Sequence, residues 1–320
     1  MAGSRSVVLA ALVANGAIAV LKFVGFLLTA SPSMLSETYH SISDTGNQVL
    51  LLVGLRYGSR EADRRHPFGY GKAQFFYSFV VSMLLFGIAG WESAKHGYNQ
   101  LTGGGHEEAH GAIEFLGFVY EPSFGFDPVF VNYAVLLGAI VFEAWAFKKA
   151  YAEISRQMEA NDWDGLGEAF RKTSDVTTLT ALTEDTIALG GLVFALVGIT
   201  LTQQTGIEAF DAAAALLIGV MLMGFAIALA WENKRLILGE SLPASEEGRL
   251  REVVEGWDGV DRVVDFRTVY FGPERVVVTA DVEFAPGIGG ADLDERITAI
   301  EDALRETHNS VRKVYIEPEV

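Results

Sequence analysis

The first 238 residues contain a series of apolar stretches that are long enough to cross a lipid bilayer. A hydrocarbon core of about 30 Å needs roughly 20 helical residues. Four stretches reach that length with few charges: residues 7–30, 75–97, 128–150 and 207–231. Because a spanning segment must pair its backbone polar groups within itself, such stretches fold as helices. The sequence therefore predicts an α-helical membrane protein and argues against an ordinary soluble enzyme.

Two further stretches are more polar but also fit a membrane span. Residues 176–202 are apolar apart from two acidic residues, and residues 33–55 begin polar and end in VLLLVGL. A helix with a polar face can cross the membrane when that face lies inside the bundle, so six transmembrane helices are predicted. The alternative for residues 7–30 is a cleavable signal peptide. Against it, this apolar region is about twice the usual length and contains Lys22.

The basic residues support six spans. With both termini in the cytoplasm, thirteen Lys and Arg residues lie in or beside cytoplasmic segments: Arg5, Arg56, Arg60, Arg64, Arg65, Lys72, Lys148, Lys149, Arg156, Arg171, Lys172, Lys234 and Arg235. Only Lys95 lies at an outer loop. This is the positive-inside pattern, and it is lost if residues 33–55 do not span. The pattern predicts a multi-pass protein of the cell membrane with cytoplasmic N- and C-termini.

Residues 239–320 are a different kind of segment, because they lack a long apolar run. They hold nine Lys and Arg against nineteen Asp and Glu, a net charge of about −10 out of −17 for the whole chain. The acidity argues against nucleic acid as a partner. The chain has no cysteine, which excludes disulfides, thiolate metal sites and cysteine nucleophiles. The predicted domains are a membrane domain, residues 1–238, and an acidic cytoplasmic domain, residues 239–320.

The helix and strand signals in the cytoplasmic domain follow the order αββαβ. A first helix is capped at Ser245, and valine-rich strands are predicted over residues 262–270 and 275–284. Asp292 opens a second helix with a capping-box pattern, and residues 311–316 form a last strand. This order suits a small two-layer α+β domain, for which a ferredoxin-like fold is predicted.

Ionisable residues inside the predicted spans mark a candidate site, because each costs about 2.5–3.5 kcal/mol on insertion scales. Glu37, His40 and Asp44 share one stripe of the second span, and Glu184 and Asp185 are adjacent in the fifth. A neutral imidazole with two or three carboxylates from two helices suits a divalent metal such as zinc. The alternative is a set of buried, hydrogen-bonded groups that stabilise helix contacts, and it applies most to Glu37.

Five motifs together resemble the cation diffusion facilitator family. They are HSISD (40–44), DRRHPFGYGKAQ (63–74), LTEDTIALGG (182–191), FDAAAALLIG (210–219) and LILGES (236–241). The resemblance runs over nearly the whole chain in the right order. It implies a homodimeric, proton-coupled exporter of divalent metal, commonly zinc, with a cytoplasmic dimerisation domain. It also implies that His40, Asp44 and Asp185 are ligands at a transport site between the second and fifth helices.

Two departures from the family pattern affect the predicted sites. Four residues before the fifth-helix aspartate, where the family often has histidine or aspartate, this chain has Ala181, so Glu184 is the candidate fourth ligand. In the loop after the second span, many relatives bind another metal through an aspartate and two histidines. Asp63 and His66 match, but Tyr70 occupies the second histidine position. The loop is therefore interpreted either as an accessory metal site on Asp63 and His66 or as a structural turn.

Two other histidine-containing segments are not expected to form built metal sites. His-Glu-Glu-Ala-His at residues 106–110 fits a zinc-protease motif, which needs a helix to bring its histidines together. Three glycines precede it and Gly111 follows, so a solvated outer loop is predicted, with weak cation capture as the alternative and a protease least favoured. In the cytoplasmic domain His308 is the only histidine, so no regulatory zinc site is expected there.

The expected function is export of divalent metal, with zinc as the expected ion, in exchange for protons. Ligands must lose protons to bind metal, and His40 is the expected exchanger because an unperturbed imidazole has a pKa of about 6.5. The expected partners are a second copy of the chain, the lipid bilayer, divalent cations and protons. Metal is then a transported substrate, and no cofactor is expected. The alternatives are a membrane sensor or structural anchor that moves no metal, and a transporter that prefers manganese, iron or cobalt.

Overall fold

The structure is a computed structural model that describes residues 2–102, 113–115, 118–120, 129–161, 164–172, 176–273 and 275–319. Its helices are α1 (Ala2–Thr29), α2 (Pro32–Gly58), α3 (Ala73–Leu84), α4 (Trp91–Thr102), α5 (Val129–Asn161), α6 (Leu166–Lys172), α7 (Val176–Thr205), α8 (Ala209–Leu238), α9 (Ala244–Glu255) and α10 (Gly290–Thr307). Its strands are β1 (Ile113–Phe115), β2 (Phe118–Tyr120), β3 (Val260–Gly272), β4 (Arg275–Phe284) and β5 (Val311–Glu319).

Four helices in the described part of the chain are long and apolar enough to cross a membrane. They are Ala73–Thr102, Val129–Glu159, Leu182–Thr205 and Ala209–Leu238. The first joins α3 and α4 through a π-helical segment, Leu85–Gly90, which the hydropathy pattern does not predict. The helices α1 and α2 are also long, at 28 and 27 residues. The helical membrane domain is confirmed, and the count of six spans stays a prediction.

Close helix packing in the membrane domain depends on glycines where α4 crosses α8. A Cβ on Gly97 would lie 2.6 Å from the carbonyl oxygen of Ala212, and a Cβ on Gly219 would collide with the backbone of Ala94. Small residues of this kind let helix backbones approach each other in a membrane. Elsewhere α5 packs along both α1 and α7. The apolar core between these helices includes Phe26, Leu136, Leu192, Ile218 and Leu222.

A tight turn joins α1 to α2 and is tied to the start of α8. Ala30 adopts a left-handed conformation with φ of 54°, which reverses the chain at the end of α1. The Ser31 hydroxyl then donates a 2.6 Å hydrogen bond to Oδ2 of Asp211, and the Ser33 amide donates to Oδ1 at 3.3 Å. Asp211 is buried, so these bonds satisfy its carboxylate and fix where α2 begins.

The C-terminal domain has the predicted element order: α9, β3, β4, α10 and β5. Its sheet has the strand order β3-β4-β5, with β3 and β4 antiparallel and β4 and β5 parallel. Two helices cover one face, and the core between them contains Leu250, Val254, Val278, Ile300 and Leu304. A small α+β domain is therefore confirmed. The finer ferredoxin-like assignment stays a prediction, because the described sheet has three strands.

The described residues form two compact units. One comprises Met1–Val49 and Val81–Ala228, and the other comprises Leu50–Val80 and Leu229–Val320. The second unit thus contains the C-terminal domain together with the end of α2, the start of α3 and the end of α8. These units reflect compactness and not position in the membrane. The predicted division into a membrane domain and a cytoplasmic domain at residue 238 therefore stays a prediction.

Within the second unit, the loop between α2 and α3 packs against the end of β3. The rings of Phe68 and Phe271 have centroids 4.7 Å apart. Gly71 lies against the backbone of the β3 end, where an added Cβ would be 2.9 Å from Cα of Gly272 and closer still to the Phe271 carbonyl oxygen. Lys72 donates a 3.3 Å hydrogen bond to the carbonyl of Ile237. The loop is therefore held against the sheet at a spacing that only glycine permits.

Candidate functional site

The polar stripe of α2 lies in the interior of the first unit. Glu37 is fully buried and His40 is 2% exposed. The Nε2 atom of His40 lies 3.5 Å from Oδ2 of Asp44, yet neither ring nitrogen of His40 has a hydrogen-bond partner. Buried polar atoms normally find partners. A buried imidazole with both nitrogens unpaired, beside a carboxylate, is the arrangement expected of a ligand-binding group.

The two acids of α7 lie near this stripe, as the sequence predicts. Asp185 interacts electrostatically with Asp44, and Glu184 interacts with both of them. Both α7 acids are partly buried. In the described residues, no three His, Asp or Glu side chains are close enough to hold a metal ion. The helices therefore bring the predicted residues into one electrostatic cluster, and a bound ion would require their side chains to converge further.

Lys22 of α1 is a member of this cluster that the sequence analysis does not assign to the site. Its Nζ lies 2.7 Å from Oε2 of Glu37, and both side chains are almost completely buried. Lys22 also acts electrostatically on His40 and Asp44. Sequence alone shows a lysine in an apolar span, which is itself unusual, but it does not show which residue of another helix the lysine meets.

Glu143 of α5 is a second residue that the sequence analysis missed. It interacts electrostatically with Lys22, Asp44 and Asp185, because α5 packs along both α1 and α7. An acidic residue in the middle of the predicted span 128–150 was the available signal, since intramembrane carboxylates are functional candidates by default. Four helices, α1, α2, α5 and α7, therefore contribute charged side chains to the cluster.

The site lies where α2 passes from buried to accessible. Residues 31–38 are all buried, whereas residues 42–50 are partly or fully exposed. Asp44, at this transition, has a side chain that is 18% exposed. Of the described α2 residues at the site, Glu37 and His40 are therefore enclosed and Asp44 is accessible.

The accessory candidate, Asp63 and His66, forms a compact hydrogen-bonded loop with Tyr70. Asp63 accepts hydrogen bonds at Oδ1 from the amides of Arg65 and His66, both at 2.8 Å, and at Oδ2 from the Tyr70 hydroxyl at 2.6 Å. The Tyr70 hydrogen bond, with smaller contributions from the amides, lowers the pKa of Asp63. Both carboxylate oxygens are engaged and Tyr70 stands where relatives have a histidine, which is what the structural-turn alternative predicts. The accessory metal site stays a prediction.

Two other histidine-containing segments were considered as metal sites in the sequence. Residues 106–110, with the H-E-x-x-H pattern, lie outside the residues that the structure describes. In the C-terminal domain, Nε2 of His308 lies 3.0 Å from Oε2 of Glu246. That contact joins the residue after α10 to the first turn of α9.

Comparison with known protein families places the chain in a group of transporters. The model of the cation efflux transmembrane domain matches residues 8–238. The model of the cation efflux cytoplasmic domain matches residues 242–319. The chain belongs to the cation efflux family. This confirms the resemblance to cation diffusion facilitators, a family of transporters and not of enzymes.

Several relatives of this cation efflux protein have descriptive names. The proton-coupled zinc antiporter SLC30A9, mitochondrial, from Xenopus laevis is 28% identical over 286 residues, which is 89% of this chain and 47% of the relative. Metal tolerance protein C4 from Arabidopsis thaliana is 25% identical over 88% of this chain and 57% of its own length. The cation-efflux pump FieF from Serratia proteamaculans is 25% identical, covering 85% and 79%. The chain thus spans about half the length of the antiporters that it matches.

Proposed function

We propose that this protein exports divalent metal cations from the cytoplasm in exchange for protons, with zinc as the expected ion. The observation that carries the proposal is His40, a buried imidazole with both nitrogens unpaired, 3.5 Å from Asp44. It belongs to a cluster whose acids come from α2, α5 and α7. The membership in a cation efflux family supports the same function.

The ligands in this proposal are His40, Asp44 and Asp185, with Glu184 as the fourth. One imidazole and three carboxylates form a donor set that zinc accepts and that also admits harder cations such as manganese. Glu143 adds a negative charge beside these ligands and attracts the cation without being assigned to its ligand shell. Because these ligands must be deprotonated to bind metal, arrival of the ion displaces protons from the same groups, and no separate proton carrier is needed.

The proposed orientation places both termini and the C-terminal domain in the cytoplasm. The contact between Phe68 and Phe271 puts the α2–α3 loop beside the C-terminal domain, which supports placing these two segments on the same side of the membrane. That loop contains four basic residues of the positive-inside pattern, and a fifth, Arg56, lies in the last turn of α2. The Xenopus relative is named as mitochondrial, so membership in the family does not fix which membrane holds this chain. Location in the cell membrane is therefore proposed here from the positive-inside pattern.

The proposed assembly is a homodimer. Residues 242–319 match the cytoplasmic domain of cation efflux proteins, and the family model for this domain is named for dimerisation, which supports self-association. The membrane domain then works within a pair of chains, and the transport site proposed above is built from the residues of one chain.

Flux into proteoliposomes tests the proposed function. The purified chain is reconstituted, and an outward proton gradient (an acidic lumen) or no gradient is imposed. Uptake of zinc, manganese, cobalt and iron is followed with a metal-sensitive dye while a pH dye reports proton movement. Saturable zinc uptake coupled to opposite proton movement is expected, and protein-free liposomes serve as the control. Metal binding without flux would favour the alternative of a membrane sensor or structural anchor that moves no metal. Uptake of manganese in preference to zinc would change the assigned substrate.

A further inference from the structure

The ion pair between Lys22 and Glu37 is the most enclosed charged contact in the described part of the chain. The Nζ–Oε2 distance is 2.7 Å, and Lys22 is 1% and Glu37 0% exposed. The pair joins α1 to α2 one helical turn from His40, toward the N-terminal end of α2. Its place beside the transport site raises the question of whether Glu37 is a fifth ligand or a neutralised neighbour.

The surroundings of Glu37 hold its carboxylate on two sides. Lys22 binds Oε2, and Oε1 points at Gly191 of α7, where an added Cβ would collide with it. Oε1 itself has no hydrogen-bond partner. A carboxylate fixed in this way cannot rotate toward His40 without leaving Lys22, and removing one partner of a buried ion pair leaves a strongly destabilising uncompensated charge.

The positive charge of Lys22 also acts on Asp44 and Glu143. Among the charged neighbours of Asp44 and of Glu143, Lys22 is the one with the largest effect. Five acidic side chains, Glu37, Asp44, Glu143, Glu184 and Asp185, belong to this cluster. Lys22 pairs with the first of them and acts electrostatically on the next two. The lysine therefore places one positive charge beside a cluster of five acidic side chains.

We propose that Lys22 is a positioning residue of the transport site, which holds Glu37 in a permanent ion pair and so keeps that carboxylate out of the cation's ligand set. This inference rests on the proposed function, because it concerns the ligands and charge of the same site. The pair as a whole is neutral. It leaves His40, Asp44, Glu184 and Asp185 to bind the ion.

Two other roles predict different behaviour. If Glu37 is itself a ligand, loss of its carboxylate weakens metal binding whether or not Lys22 is present. If the pair only joins α1 to α2, its removal changes thermal stability and leaves the metal affinity of the folded protein unchanged. Comparing E37Q with a double variant in which both partners are neutral separates the three cases, and the double variant avoids burying a single uncompensated charge.

The experiment measures zinc binding to the full-length chain in detergent by isothermal titration calorimetry, alongside thermal melting. The variants are E37Q and the double variant K22M/E37Q. D44A is the control for loss of the transport site, and E92Q is the matched control, because Glu92 forms an exposed ion pair with Lys95 at 3.7 Å. For E37Q, which leaves Lys22 unpaired beside the site, we expect zinc affinity to fall about tenfold or more.

The double variant decides the question. We expect K22M/E37Q to bind zinc within about threefold of the wild type, since a neutral pair replaces a pair with no net charge. Binding by the double variant as weak as that of E37Q would show that Glu37 is a ligand. Unchanged affinity in E37Q with only a lower melting temperature would show a structural link. Absence of zinc, manganese and cobalt binding in the wild type would overturn the proposed function as well, whereas the first two results would leave it standing.

Discussion

The unpaired polar atoms of the described residues are concentrated on α2 and its neighbours. Glu37 and His40 account for three of these atoms, and Gln48 of the same helix has another. An unsatisfied buried donor or acceptor costs about 1–3 kcal/mol, so several on one helix need an explanation. The proposed cation site supplies one for the two ring nitrogens of His40.

Removal of an acidic ligand should abolish transport without unfolding the protein. We expect Asp44→Ala and Asp185→Ala each to reduce zinc flux in proteoliposomes by about a hundredfold or more, because each removes a charged donor from the site. Both variants should elute from size-exclusion chromatography like the wild type.

Asp164→Ala is the control for these substitutions, since Asp164 is exposed and lies outside the long apolar helices. Normal transport by Asp185→Ala combined with loss of transport in Asp175→Ala would show that the α7 ligands are assigned to the wrong part of the helix. Asp175 lies outside the residues that the structure describes.

The pKa of Asp63 should depend on Tyr70. The Tyr70 hydroxyl is the largest cause of the lowered pKa of Asp63, so Tyr70→Phe should raise that pKa toward its ordinary value. A lowered folded-state pKa contributes stability above the unfolded pKa, and this contribution is lost as pH falls through the folded value. The loop of the wild type should therefore stay ordered to lower pH than that of the variant.

Carbon-13 detection of aspartate carboxyl groups, with Asp63→Asn to assign the signal, measures this pKa. Tyr98→Phe is the matched control, because Tyr98 is exposed on α4 and its loss should leave Asp63 unchanged. An Asp63 pKa that is the same in the wild type and in Tyr70→Phe would contradict the hydrogen bond.

At the scale of helices and strands, hydropathy and turn signals predict most elements to within a few residues. The predicted strand at residues 275–284 coincides with β4, and the predicted helix start at Asp292 lies two residues after Gly290. The π segment at Leu85–Gly90 is not visible in the pattern, because one extra residue in a turn leaves an apolar stretch equally apolar. Lys22 and Glu143 were not assigned to the site, because helix rotation and packing decide which faces meet.

The docking of the α2–α3 loop on β3 should depend on Gly71. We expect Gly71→Ala to displace the loop, because its Cβ would overlap the Phe271 carbonyl, at a cost of about 1–3 kcal/mol. Trypsin should then cut after the exposed Arg64 and Arg65 severalfold faster than in the wild type, as followed by mass spectrometry.

The control for the loop is Gly248→Ala in α9, since no atom lies within 4 Å of the added Cβ. Alanine favours a helix interior by up to about 1 kcal/mol over glycine, so this variant should be as stable as the wild type or more so. Equal cleavage rates for Gly71→Ala and the wild type would show that the loop does not need the close contact.

At the scale of the whole molecule, the orientation in the membrane is testable with reporters. A fluorescent reporter that matures only in the cytoplasm, fused after residue 320, should be bright, and alkaline phosphatase at the same position should be inactive. The same pair of reporters inserted after residue 105, in the predicted outer loop, should give the reverse result. Active phosphatase at residue 320 would contradict both cytoplasmic termini and the count of six spans.

The proposed homodimer makes a prediction about mass. Light scattering in a mild detergent, corrected for bound detergent, should give about twice the chain mass of 34.7 kDa. Since the chain has no cysteine, single cysteines introduced on the C-terminal domain can be cross-linked in native membranes without background. A monomer in detergent together with no cross-linked species in membranes would contradict the dimer.

The contact between Gly71 and Gly272 has a consequence for domain exchange between relatives. The two glycines fall in segments that match separate family models, 8–238 and 242–319, so the domains look interchangeable from sequence. A chimera that combines this membrane domain with the C-terminal domain of another cation efflux protein would keep the first glycine and inherit whatever residue the donor has at the second. Any donor side chain there meets the backbone of Gly71. Successful chimeras should therefore carry glycine at both positions, and evolutionary change at one of them should be accompanied by change at the other.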